Sequence, residues 1–86
     1  MKIEYDEAKN AANIAKHGVS FERVVEFSFD ITKVDDRFDY GEVRYISYGV
    51  LDLRLYVLIW TSRSGGVVRP ISFRKTNRKE SKLYEI

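Results

Sequence analysis

Eighty-six residues, 44% of them hydrophobic, supply material for one core and not for two, so a single domain over residues 1–86 is expected. The absence of cysteine excludes a disulfide framework, a thiol nucleophile and a thiolate metal site, and no apolar run approaches the roughly 18 to 20 residues that cross a bilayer. The net charge of +2 names no partner, but residues 1–43 hold six Lys and Arg against ten Asp and Glu, and residues 44–86 hold nine against three. The opening Met1-Lys2-Ile3-Glu4 carries no apolar signal region, which makes the cytoplasm the expected home and gives no reason to invoke a membrane.

In chain order, Ile3-Glu4-Tyr5 reads as a short first strand. Asp6 is a good N-cap and Glu7 suits the first turn of a helix that Gly18 stops. Along it Ala8, Ala11, Ala12 and Ala15 cluster on one face, small enough to lie against a sheet, with Lys9, Asn13, Lys16 and His17 on the other. Ser20 caps a second helix in which Phe21, Val24, Val25 and Phe29 fall at helical spacing. Beyond Asp30 the pattern changes to strands. Ile31 to Asp35 is a weak edge strand and 35–42 a polar loop. Val43–Leu51 and Leu53–Thr61 form a hairpin closed around Asp52, and the second of these, apolar on both faces, belongs at the sheet's centre. After a turn at 62–66, Val67–Phe73 is a strand that Pro70 confines to an edge or a bulge. A last helix starts at Thr76 or Asn77, with Glu80 placed to complete a capping box from Asn77. The fold class is α+β: an antiparallel sheet with two N-terminal helices and one C-terminal helix, in the order β-α-α-β-β-β-β-α.

Two features carry chemistry. Lys9, Asn13 and His17, four residues apart, share one helix stripe, an arrangement suited to phosphates. The segment Arg74 to Lys82 gathers five cations around the single acid Glu80, a patch suited to a polyanion such as RNA. Each has a plain structural alternative. The basic segment is also what a solvated helix looks like. His17, just before the C-cap glycine, is also where a cation favours the last carbonyls of its helix. Asp35, Asp36, Asp39 and Glu42 have the composition of a magnesium site, but loop carboxylates of this kind are usually only solvated.

Tyr5-Asp6-Glu7-Ala8-Lys9, Asn13, Lys16-His17-Gly18-Val19-Ser20-Phe21 and Arg69-Pro70-Ile71-Ser72-Phe73-Arg74-Lys75, with Glu80 and Tyr84, resemble the BrnT family of toxins of bacterial type II toxin–antitoxin pairs. The sequence departs from the family pattern at Tyr5, where tryptophan is common, and at Phe73, where a small residue is usual. The resemblance covers essentially the whole chain. It implies a RelE-like fold, a ribonuclease that halts translation, and a cognate BrnA-like antitoxin encoded beside it. Operator DNA would be contacted only through that antitoxin, in assemblies larger than one pair.

RNA cleavage without a metal or other cofactor uses the substrate's own 2′-OH as nucleophile, so the protein must supply a base, an acid and cations. His17 is the side chain that ordinarily titrates near neutrality. Arg74 and Arg78 suit bidentate phosphate contact. The expected catalytic group is thus His17, Lys9, Arg74, Arg78 and Tyr84, with Asn13, Lys16, Lys75, Lys79 and Lys82 binding RNA and no metal. The rival reading is a non-catalytic RNA- or ribosome-binding module, neutralised by a partner, that blocks translation by occupancy.

Overall fold

A computed structural model describes residues 1–84. Helix α1 spans Glu7–His17 and a 3-10 helix spans Phe21–Glu26. Strands β1 (Ile31–Asp35), β2 (Arg44–Leu51), β3 (Arg54–Arg63) and β4 (Val67–Lys75) follow, and helix α2 (Arg78–Tyr84) ends the described chain. The strands form one antiparallel sheet in sequence order, so β1 and β4 are its edges. Among the described residues no helix is long and apolar enough to cross a membrane.

The β2–β3 hairpin turns through Asp52 and Leu53, both with positive φ (50° and 62°), matching the right-handed strand twist. Interior strand β3 is covered on both faces, as its apolar run requires: Val57 and Leu58 are both buried. The cross-strand row Thr32, Ser47, Leu58, Phe73 lies on the face that packs against Val19, Phe21, Val24 and Phe27. Phe73 fills that core between Tyr56 and Phe27, with ring centroids 5.3 and 5.4 Å away. The next row, Ile31, Tyr48, Val57 and Arg74, faces the other way, toward α2.

Three expectations need correction. The second helix is a 3-10 helix whose core contacts come every third residue, Phe21, Val24 and Phe27. Val25 is left 58% exposed and Phe29 lies beyond the helix end. The first strand shrinks to one parallel bridge, Ile3 with Val68. Val68 donates to Lys2 and accepts from Glu4, and the next rung would need an N–H from Pro70, which has none.

The third correction concerns α1, whose alanines do not face the sheet. Ala8, Ala11, Ala12 and Ala15 are exposed, whereas Asn10 and Asn13 are 6% and 7% exposed. The helix lies along the open edge of β4, not over a sheet face. An open strand edge presents unpaired peptide groups, which alanine leaves unsatisfied and an amide satisfies. Asn13 Nδ2 donates to the carbonyls of Phe73 (2.9 Å) and Val19 (3.0 Å), and its Oδ1 accepts from the Phe73 N–H (3.1 Å). Its side chain thus pairs with β4 as another strand would. Asn10 Oδ1 accepts from the Phe21 N–H (2.8 Å), tying α1 to the 3-10 helix.

Candidate active site

The caps expected of α1 form as written. Asp6 accepts from the Ala8 and Lys9 N–H groups, and Gly18 takes the left-handed conformation (φ 75°) with its N–H on the Ile14 carbonyl. A rigid helix pinned to β4 by Asn13 therefore carries Lys9, Lys16 and His17 at fixed positions. Those three line one wall of an open cleft of about 510 Å³. The opposite wall comes from the sheet: Arg44 at the start of β2, Thr61 and Arg63 at the end of β3, Arg69 and Ser72 on β4.

The cleft's arginines are held in a row by two glutamates. Arg69 donates to Glu4 (3.0 Å), Arg63 lies 3.8 Å from Glu4 and 3.9 Å from Glu42, and Arg44 donates to Glu42 (3.1 Å). The Arg44 guanidinium also lies 4.1 Å over the Tyr40 ring. Such partners fix the guanidinium directions at the expense of some positive charge. Five lysine and arginine side chains still line the cleft against two carboxylates, Asp6 and Glu42. A cation would be unwelcome there, since Asp6 caps α1 and Glu42 is engaged by arginine. Among the described residues no group of three or more His, Asp or Glu is arranged to hold a metal.

His17 is half-buried beside Lys16 and Arg74. Its partial loss of solvent, then the two neighbouring positive charges, push its pKa below the ordinary histidine value. The imidazole is therefore neutral near pH 7 and able to accept a proton.

The remaining candidates lie elsewhere. Asn13 borders the cleft, but its amide is buried in the pairing with β4, which corrects its assignment to an RNA-facing position. Arg74 bears on His17 through its charge, but its guanidinium is clamped by both Glu80 oxygens at 2.8 Å. Glu80 in turn exchanges hydrogen bonds with Asn77 in the expected capping box. Arg78, Lys79 and Lys82 are exposed on α2 and Lys75 is exposed at the end of β4; none forms an ion pair among the described residues. Tyr84 lies toward β1, outside the cleft, because α2 runs back across the sheet. Its hydroxyl donates to Asp30 (2.7 Å), which raises its pKa and makes it a poorer proton donor. In the acidic loop, Asp35 is buried and accepts from Arg37 and Tyr40. Arg37 first of all holds its pKa well below the usual carboxylate range.

Arg44, Arg63 and Arg69 were not among the sequence candidates. One signal for them was present: Thr61 and Arg63 continue the two-residue alternation of β3 with polar groups where the apolar run ends.

A four-stranded antiparallel sheet with a basic cleft along one edge defines a small α+β protein with a surface suited to a polyanion. The sequence model described as the ribonuclease toxin BrnT of type II toxin–antitoxin systems matches residues 5–80, and the chain belongs to that family. The fold is similar to the crystal structure of the Brucella abortus ribonuclease toxin BrnT. The two are 31% identical with a TM-score of 0.71, over 91% of this chain and 99% of that one. No curated protein matches the sequence. The family found is the one that the Lys-His-Gly-Val and Ile-Ser-x-Arg elements pointed to.

Proposed function

We propose that this protein is the toxin of a type II pair and cuts RNA in the cleft between α1 and β2–β4, without a metal, by attack of the substrate's 2′-OH. One observation carries the reading: a histidine, two lysines and three arginines converge on one open cleft. His17 accepts the 2′-OH proton as that oxygen bonds to phosphorus. Lys9 and Lys16 stabilise the charge that develops on the phosphorane, and one of them protonates the departing 5′ oxygen. Arg44, Arg63 and Arg69, already oriented by Glu4 and Glu42, hold the flanking phosphates. The charge of Arg74 favours the neutral His17 imidazole. Arg78, Lys75, Lys79 and Lys82 extend the basic surface for the RNA beyond the cleft.

The products of this chemistry are a 2′,3′-cyclic phosphate and a 5′-hydroxyl. RNA incubated with the purified protein in EDTA and mapped at its new ends tests this. Cyclic phosphate ends formed in the presence of chelator are expected. Ends that appear only after magnesium or zinc is restored would overturn the mechanism, and binding without new ends would favour a toxin that acts by occupancy. The partner follows from the same surface: a BrnA-like antitoxin neutralises the toxin by covering the cleft or the α2 segment. A complex that leaves both open to solvent would contradict that.

A further inference from the structure

A second depression, of about 160 Å³, lies between α2 and β1 and is lined by Tyr48, Tyr84, Ile31, Leu83, Lys33 and Glu80. The cleft chemistry makes no use of it. Its two tyrosine rings are splayed at 42° with centroids 6.4 Å apart, and Lys33 Nζ stands 5.9 Å from the Tyr48 centroid. Aromatic faces beside a cation are the elements that hold single-stranded nucleic acid, because every base has a stacking face and every nucleotide a phosphate. The groove and the cleft share one sheet face: Tyr48 alternates with Arg44 along β2, and Arg74 with Ser72 along β4. Arg74, whose charge acts on His17, is clamped by the Glu80 that lines the groove. Tyr48 and Arg74 share a cross-strand row, two strands apart, or about 9.6 Å at the usual strand spacing.

We propose that this groove is a base-stacking subsite that receives an unpaired nucleobase of the RNA held in the cleft, with Lys33 on the adjoining phosphate. The inference rests on the cleft being the RNA site, and names how a neighbouring nucleotide is gripped. An apolar protein segment is the competing occupant. The cation beside the rings and the sheet face shared with the cationic cleft favour the base.

The test uses short RNAs blocked at the 2′ oxygens and carrying 2-aminopurine at one position at a time. With the unmodified protein, one position should lose fluorescence on binding as its base stacks. Tyr84→Leu and Tyr48→Leu should abolish that quenching and weaken binding roughly 5- to 150-fold, the equivalent of one base–aromatic stack. Tyr84→Phe, which keeps the ring and loses the bond to Asp30, should behave like the unmodified protein. This separates stacking from the anchoring of α2, and melting curves check that each variant is folded. Unchanged affinity and quenching in both leucine variants would overturn the subsite while leaving the cleft reading intact. Leucine variants that lose the antitoxin but keep RNA would also overturn it, in favour of a protein contact. Failure of the unmodified protein to bind RNA at all would remove both readings together.

Discussion

Asn13 shows how one side chain joins sequence positions 60 residues apart. Its amide satisfies the N–H and C=O of Phe73 at once, so no hydrophobic substitute of similar size can replace it. Asn13→Asp keeps the acceptor and places a carboxylate against the Phe73 and Val19 carbonyls. It should destabilise the fold by roughly 2–4 kcal/mol in denaturant unfolding, the scale of leaving buried polar groups unsatisfied. A midpoint within experimental error of the parent would show that the amide is not what holds α1 to the edge. His17 is the chain's only histidine, so its proton titration can be read by NMR without overlap. Its pKa should fall below 6.5, and Lys16→Gln should move it upward by removing one of the charges that depress it. The sign for stability follows: the unfolded chain binds this proton more readily than the folded one. That contribution is therefore present above the unfolded value near 6.5 and is lost as pH falls from there through the lower folded value. A His17 pKa above 6.5 would remove the argument for a neutral base.

At the scale of elements, what local chemistry determines was legible and what distant contacts determine was not. The Asp6 and Ser20 caps, the Gly18 stop, the Asn77–Glu80 box, the hairpin around Asp52 and the placing of Pro70 at an edge and bulge all follow from a few adjacent residues. The roll of α1 does not. It is decided by the free edge of β4, and four clustered alanines say nothing about an edge that forms 60 residues later. Lys9, Asn13 and His17 share a stripe of α1, but its middle member points into the structure. Ala12 accordingly lines the cleft instead of packing on the sheet. Ala12→Trp should then leave the melting temperature nearly unchanged while slowing RNA cleavage by filling the cleft. Strong destabilisation of that variant would restore the alanine-inward orientation. Gly49 makes the opposite point, since nothing in the sequence marks it. A Cβ there would lie 2.9 Å from the Phe29 backbone N and 2.7 Å from Ser28 Oγ, where the 27–29 segment crosses β2. Gly49→Ala should cost about 1–3 kcal/mol of stability through overpacking. Unaltered unfolding would mean that this crossing is looser than the structure shows.

For the whole molecule, the basic surplus of residues 44–86 does not gather in the C-terminal helix alone. Sheet register brings Arg44, Arg63 and Arg69 from three strands to one end of the sheet, opposite the α1 wall. That convergence was invisible to charge counting along the chain, because it depends on the hairpin turns and on the register slip between Ile59 and Trp60. It also moves the proposed chemistry away from Arg78 and Tyr84 and toward the side of α1. The measurement that bears most directly on this account is the single-turnover rate of RNA cleavage by His17→Ala in EDTA. Loss of a positioned general base should slow cleavage by roughly 10²–10⁴-fold, with RNA affinity and melting temperature close to those of the parent. Cleavage at the parental rate by a folded His17→Ala protein would show that the catalytic centre lies outside this cleft.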